Sequence, residues 1–142
     1  MDANAQVFRT SESLTQALSD IKALRKRYEA VSVQDKSRTF NTDLLEAVEL
    51  GFLLDIAETV VVGALNREES RGGHFREDFP DRDDARFMQH TMAYRRPVAE
   101  GAAGALSGDG AFARAETFDG YQVVLGAKPV TVTRYQPMER KY

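Results

Sequence analysis

Apolar residues at three- and four-residue spacing predict two long helices in the first half of the chain. The first is predicted from Thr10 or Ser11, either of which can cap the N-terminus, with Glu12 in the first turn and basic residues near the end at 25–27. Its apolar positions form one stripe, so we expect one buried and one solvated face. They are Leu14, Ala17, Leu18, Ile21, Leu24 and Tyr28.

The second helix is predicted from about 41–43 to Asn66, with Asp43 and Glu46 spaced as in a capping box. This segment is apolar nearly all round, a pattern typical of a helix buried between neighbours. Residues 1–9 are helix-like but uncapped, and they are predicted to be the last part of a helix. With only one other complete helix in view, we expect the second helix to need a third helix or a partner.

The second half of the chain has weaker patterns. A charged segment, 66–86, precedes a predicted helical turn at 83–88 and a predicted strand at 89–95 that ends at Pro97. An Ala/Gly-rich stretch to Gly126 is interpreted as a long loop, and Val130–Tyr135 alternates as an antiparallel partner strand would. We therefore predict a mainly α fold. A three-helix, spectrin-repeat-like bundle occupies 1–80, and an irregular tail, 81–142, carries a short antiparallel strand pair and a flexible loop at about 97–127.

Composition narrows the classes of partner. The 142 residues carry 19 basic and 22 acidic side chains, a net charge of −3, so we expect no nucleic-acid partner. The absence of cysteine excludes disulfides and thiolate metal sites. The most apolar segment, 51–65, contains two acids and is shorter than the roughly 20 residues that span a bilayer. We expect a soluble protein without direct membrane insertion.

A charged block at 69–84 gathers the candidate site residues around Gly72 and Gly73. They are Arg71, His74, Arg76 and Asp78. One hypothesis is acid–base chemistry at the histidine, with the arginines holding an anion. The favoured interpretation is an ion-pair network that fixes a loop against a neighbouring surface, since no nucleophile or second base accompanies the histidine. The aspartates at 81–84 lack calcium-loop spacing, so we predict no metal site.

Several ordered motifs carry a resemblance to a known family. They are Asn41–Leu50, Ala64–Pro80, Arg82–Asp84 with His90 and Thr91, and the closing Thr133–Tyr142. At these residues the chain resembles the C-terminal portion of the flavoprotein subunit of succinate dehydrogenase and fumarate reductase, in its actinobacterial form. L-aspartate oxidase shares a looser version of the same block. The stretch at about 97–127 matches no family pattern.

The resemblance implies that the catalytic and the structural roles lie in different parts of the parent subunit. The parent subunit would bind FAD, oxidise succinate to fumarate and pass electrons to an iron–sulfur subunit, whereas no dinucleotide fingerprint lies in these 142 residues. We therefore expect no cofactor and no complete active site here. The implied role is structural: packing on the flavin-binding domain and contributing to the interface with the iron–sulfur subunit, through Arg71, His74, Arg76 and Asp78. The complex would lie in the cytoplasm against the inner face of the plasma membrane.

Two other hypotheses remain open. The chain could be a free-standing helical interaction or regulatory module without catalysis, or a small acid–base enzyme centred on His74. The residues leave open an enzymatic and a non-enzymatic interpretation of the chain alone, and both succinate oxidation and fumarate reduction for the parent subunit. An exposed apolar helix face would favour a homo-oligomer.

Overall fold

A computed structural model describes residues 1–97, 116–118, 120–135 and 138. Within them the chain forms three helices and five strands. In chain order the elements are β1 (Phe8–Arg9), α1 (Ser11–Tyr28), α2 (Thr42–Asn66), β2 (Phe75–Arg76), α3 (Asp84–Phe87), β3 (Gln89–Pro97), β4 (Glu116–Phe118) and β5 (Tyr121–Pro129). The predicted mainly α chain, with a small antiparallel sheet after its helices, is confirmed. The division near residue 80 stays a prediction.

The two long helices pack as a hairpin, and their starts follow from local capping. Thr10 forms a capping box with Ser13, in which each side chain accepts from the other's backbone N–H. At α2 the predicted Asp43 and Glu46 box is wrong. Asn41 is the N-cap instead, because its side-chain oxygen accepts from the Leu44 amide at 2.8 Å.

The hydrophobic core lies where the first half of α1, the second half of α2 and β5 meet. Its buried members are Ala5, Leu14, Ala17, Leu18, Ile21, Val61, Val62, Ala64, Leu65, Val123 and Leu125. The predicted stripe of α1 is correct as far as Ile21. Beyond it Leu24 is exposed, and the neighbouring Arg25 is buried instead. The core therefore occupies one end of the hairpin.

An ion-pair cluster replaces apolar packing towards the middle of the hairpin. The Arg25 guanidinium contacts the carboxylates of Asp55 and Glu58 on α2, and Glu58 is 2% exposed. Arg95 on β3 approaches the same two carboxylates at 3.5 and 3.6 Å. Two arginines and two acids thus neutralise one another where α1, α2 and β3 meet. Further along, Tyr28 donates to the Ala47 carbonyl, and a Cβ at Gly51 would lie 2.7 Å from the Tyr28 hydroxyl.

The small sheets correct three predictions. Residues 1–9 are not helical: turns lead to β1, which pairs in parallel with β2 through Phe8 and Phe75. β3 is confirmed, but its partner is β5 rather than 130–135, which forms no strand. β5 and β4 lie inside the stretch predicted as a loop at 97–127, whose residues 98–115 and 119 are outside the described part. Glycine and alanine in this stretch obscured the strand pattern in the sequence. In the structure Val123 and Leu125 of β5 are buried against the helices.

One surface departs from the expectation of a helix buried on all sides. The face of α2 opposite the core is exposed, and we call it the outer face. Its apolar members are Leu45, Val48, Phe52, Leu53, Ile56 and Val60, with exposures from 42% to 61%. The helix is therefore packed on one side and solvated on the other, although both sides are apolar.

Adjacent leucines on α2 provide a matched test of this arrangement. Leu54 is 5% exposed and Leu53 is 61% exposed. We expect Leu54→Ala to lower the free energy of unfolding by about 2–4 kcal/mol, because it removes buried methyl groups and leaves a cavity. Leu53→Ala should lower it by less than about 1 kcal/mol, since the leucine buries little surface. Urea denaturation followed by circular dichroism measures both, and equal losses would contradict the described orientation of α2.

Candidate functional site

The charged block folds across the open end of the hairpin, where α1 begins and α2 ends. A short β2, preceded by a turn at Gly72 with φ of +60°, brings residues 75–78 against both helix ends. The αL backbone is the reason for a glycine at that turn. Main-chain hydrogen bonds from Phe75 to Val7 and from Glu77 to Arg9 attach the block to the N-terminal residues.

Arg76 is the centre of this network. Its side chain is 0% exposed. It donates through Nη1 to the carbonyls of Ala64, Leu65 and Arg67 at 3.0, 3.3 and 3.2 Å, which are unsatisfied acceptors at the end of α2. A positive charge there also opposes the negative pole of the helix dipole. The guanidinium therefore serves as a C-terminal cap for α2, whose own last turn has no basic residue.

Asp78 completes the arrangement at the start of α1. It accepts two charge-assisted bonds from Arg76, at 2.7 and 2.8 Å, and also accepts from the Ser11 amide at 2.9 Å and the Ser11 hydroxyl at 2.7 Å. The hydrogen bonds from Arg76, with those from Ser11, hold the pKa of Asp78 well below its usual range despite partial burial. The bidentate pair thus lies between the positive pole of α1 and the negative pole of α2.

Glu69 forms a second, fully buried centre. Its carboxylate accepts from Arg67, from two nitrogens of Arg71 and from the Asp83 amide at distances of 2.5 to 3.0 Å. Burial alone would raise the pKa of Glu69, but the bonds from Arg71, Asp83 and Arg67 outweigh it and lower the pKa. The pairing also raises the pKa of Arg71, which contacts Asp84 as well. This centre joins the end of α2 to the start of α3.

Arg67 extends the same network to the sheet. Its guanidinium donates to the Phe87 and Gln89 carbonyls at 3.0 and 2.6 Å and to the Thr91 hydroxyl at 3.1 Å. An open cleft of about 530 Å³ lies beside it, lined in part by Arg71, His74 and His90. The arginines that line this cleft are already bound to acids or carbonyls of the chain.

His74 is held between two arginines. Arg9 Nη1 lies 2.8 Å from Nδ1, and the Arg67 carbonyl lies 3.1 Å from Nε2. Because a guanidinium only donates, Nδ1 must accept and Nε2 must carry the proton that is donated to the carbonyl. Burial is the main reason that the pKa of His74 lies below its ordinary value. The bond to Arg67 opposes that shift, whereas the positive charges of Arg9, Arg76 and Arg67 add to it.

The four predicted site residues are brought together, and the hydrogen-bond partners described above lie within the chain. Arg76 is buried, whereas Arg71, His74 and Asp78 retain partial exposure. Sequence reasoning missed Ser11, Arg67 and Glu69, which complete the network. A role for the four residues at an interface with another protein stays a prediction, as does acid–base chemistry at His74.

Neither long helix has an open first turn that could receive the pyrophosphate of a flavin dinucleotide. A pyrophosphate is ordinarily bound at a helix N-terminus opened by glycines. Here the first turn of α1 already binds the Asp78 carboxylate, and that of α2 is capped by Asn41. In the described part of the chain no three His, Cys, Asp or Glu side chains group so that they could hold a metal ion. Among the same residues no helix is long and apolar enough to cross a bilayer.

Comparison with known proteins decides the family. The model of the family described as fumarate reductase flavoprotein C-term matches residues 1–142. The chain belongs to this family. It is 37% identical over 142 residues to the fumarate reductase flavoprotein subunit of Mycobacterium tuberculosis, covering all of this chain and 21% of that protein. It is 48% identical over 93 residues to the succinate dehydrogenase flavoprotein subunit of Rickettsia bellii, covering 66% and 16% respectively.

Solved structures agree on the fold of this flavoprotein C-terminal region. An E. coli quinol fumarate reductase chain matches with a TM-score of 0.71 and 31% identity, over 94% of this chain and 19% of that one. The Mycobacterium smegmatis Sdh1 structure matches with a TM-score of 0.65 and 26% identity, over 89% and 18%. The chain therefore spans about a fifth of the length of the relatives it matches.

Two arginines of the block allow a test of the capping role. We expect Arg76→Met to lower the free energy of unfolding by about 3–5 kcal/mol, because it leaves helix-end carbonyls and a bound carboxylate without their partner. Arg86→Met is the control, since Arg86 is 55% exposed and pairs with the exposed Glu68. That change should alter stability by less than about 1 kcal/mol. Chemical denaturation measures both, and a neutral Arg76 variant would contradict the assignment.

The surroundings of His74 predict a pH dependence of stability. Its pKa is lowered in the folded chain from an ordinary value of 6.5, so the unfolded chain takes up the proton first as the pH falls. Neutral His74 therefore contributes to the free energy of unfolding in full above pH 6.5. This contribution is lost as the pH falls through the lowered pKa of His74 in the folded chain. The carboxylates whose pKa is lowered take up protons only below about pH 4, so they do not change stability between pH 7.5 and 5.5. Denaturation midpoints at pH 7.5 and 5.5 measure the loss.

Two conservative variants identify the titrating group. Glutamine at position 74 can still accept from Arg9 and donate to the Arg67 carbonyl, but it does not titrate. His74→Gln should therefore flatten the pH dependence between 7.5 and 5.5, whereas His90→Gln should preserve it. An unchanged slope in the His74 variant would assign the effect to other groups.

Proposed function

We propose that this chain is the structural C-terminal domain of a succinate dehydrogenase or fumarate reductase-type flavoprotein subunit. The proposal rests on one observation: the charged side chains of the block are hydrogen-bonded to the rest of the chain. Arg76, Asp78 and Glu69, the groups most suited to anion binding or acid–base work, are hydrogen-bonded to helix ends and neighbouring arginines. Groups held in this way stabilise a scaffold, whereas a reacting group must reach a substrate.

The length of the relatives supports the same role. A chain that covers 21% of a flavoprotein subunit leaves about four fifths of that subunit to supply the flavin site. In the proposed assembly, FAD and the interconversion of succinate and fumarate belong to that larger part. This chain packs against it and contributes to the surface that meets an iron–sulfur subunit. The assembly would lie at the inner face of the plasma membrane through its other subunits.

A chimeric subunit tests the proposal. The matching segment of the Mycobacterium tuberculosis flavoprotein subunit is replaced by this chain, and a second version lacks the segment altogether. Both are co-expressed with the iron–sulfur subunit of the same complex. We expect the chimera to retain bound flavin, the iron–sulfur subunit and fumarate reduction. The version that lacks the segment should lose at least the iron–sulfur subunit. Absorbance at the flavin band, co-purification and turnover measure these outcomes.

The same experiment tests one of the predicted interface residues. His74→Ala in the chimera should weaken co-purification, and Arg86→Ala should not. Full assembly and turnover in the deletion version would overturn the proposed function. Full assembly of the His74 variant would remove only the interface role of that residue.

A further inference from the structure

The N-terminal strand β1 is attached to the rest of the molecule with little buried surface. Its segment accepts main-chain hydrogen bonds from the Phe75 and Glu77 amides, at 3.1 and 2.9 Å. The rings of Phe8 and Phe75 pack edge to face at 5.5 Å, yet Phe8 is 69% exposed. Among residues 1–9 only Ala5 belongs to the hydrophobic core. A two-stranded pairing of this kind is marginal by itself, so the side-chain contacts of β1 decide whether it stays attached.

Arg9 makes the side-chain contact that holds β1, and its partner is a neutral ring. Its Nη1 donates to the Nδ1 atom of His74 at 2.8 Å, and its Nε donates to the Gln6 carbonyl of the same segment. In the part of the chain that the structure describes, no carboxylate forms an ion pair with Arg9. Burial, and then the charge of Arg76, lowers the pKa of Arg9. The attachment of this guanidinium therefore depends on the charge of His74.

The titratable and charged groups that face His74 from each packed element are basic. They are Arg9 on β1, Arg76 on β2, Arg67 at the end of α2, Arg71 in the turn before His74, and His90 of β3, which lines the same cleft. Three of these arginines form ion pairs with the nearby acids Glu69, Asp78 and Asp84. Arg9 is therefore the cation beside His74 whose charge no acid balances in the described part of the chain.

Protonation of His74 turns its bond with Arg9 into a repulsion. Neutral His74 accepts at Nδ1 and donates from Nε2 to the Arg67 carbonyl at 3.1 Å. An added proton occupies Nδ1, so two donors of like charge face each other across 2.8 Å. Arg9 lies on an exposed two-residue strand and can move away, whereas Arg67 and Arg76 are bonded to several carbonyls each. The strand is thus the element that yields.

We propose that His74 is an acid-released latch for β1: uptake of a proton at Nδ1 expels Arg9 and detaches residues 7–9 from β2, while α1 and α2 stay packed. The helices keep their own constraint, because the Arg76 and Asp78 pair binds both helix ends without β1. Histidine is the side chain suited to such a switch between about pH 5 and 8. The consequence for the assembly rests on the proposed function. The larger part of the flavoprotein subunit then precedes residue 1, so acid loosens this domain at its connection to that part.

Amide hydrogen exchange of the 142-residue chain tests the latch directly. Protection factors, corrected for the intrinsic pH dependence of exchange, are compared by NMR at pH 7.5 and 5.0. We expect the Phe75 and Glu77 amides, which donate to the β1 segment, to be protected at pH 7.5 and to fall below about tenfold protection at pH 5.0, the level of a frayed segment. The Val61 and Val62 amides in the core of α2 should stay at least about a thousandfold protected. Protection of Phe75 and Glu77 that persists at pH 5.0, or that is lost together with the core, would overturn the proposal.

Variants identify the two halves of the latch. His74→Gln keeps both hydrogen bonds without a titrating ring, so the Phe75 and Glu77 amides should remain protected at pH 5.0. His90→Gln is the matched control and should release β1 as the unchanged chain does. Arg9→Met removes the holding contact, so protection should be low at both pH values. Circular dichroism verifies that the variants remain folded. Release by acid in the His74 variant, or full protection in the Arg9 variant, would contradict the latch.

The latch and the proposed function fail in different experiments. The exchange measurement uses this chain alone, whereas the chimera tests assembly at neutral pH. A chimera that does not assemble, with β1 still released by acid, would overturn the proposed function and leave the latch standing. An assembled chimera, with β1 still attached at pH 5.0 in the chain alone, would overturn the latch and leave the function standing.

Discussion

The structure depends on one bidentate ion pair between the ends of two antiparallel helices. Arg76 neutralises the carbonyl end of α2, and Asp78 accepts from the first turn of α1. The buried charge of Arg76 alone would be costly, but it faces a helix pole of opposite sign and its own counter-ion, the partly exposed Asp78. The loop that carries them thereby fixes the two helix ends next to one another, directly above the hydrophobic core.

The remaining polar groups extend this constraint through the chain. Glu69 and Arg67 connect the end of α2 to α3 and β3, while Arg25 and Arg95 connect α1 and β3 to acids in the middle of α2. Arginine suits each of these sites because one guanidinium can satisfy several acceptors at once. The domain is therefore stabilised by apolar packing at one end of the hairpin and by buried ion pairs along it. The outer face of α2 contributes to neither.

Helix positions and the family were accessible from the sequence because both depend on local or linear patterns. The cap at Thr10 and the apolar period of α1 each depend on residues only a few positions apart in the sequence. The strand register was not accessible. Val130–Tyr135 has the stronger alternation, yet β5 forms at Tyr121–Pro129 because Val123 and Leu125 are covered by the helices. Burial by distant residues overrode local propensity there.

The sequence by itself determined that α2 is apolar on nearly every side, that a dense charged block follows it, and that the block belongs to a flavoprotein family. Only the tertiary structure decided which side of α2 is packed and which is exposed. It also decided that Arg76 and Asp78 face helix ends in the chain. The physical reason is that a residue's partners at a helix pole or in a core are set by segments far away in sequence, which composition and spacing do not specify.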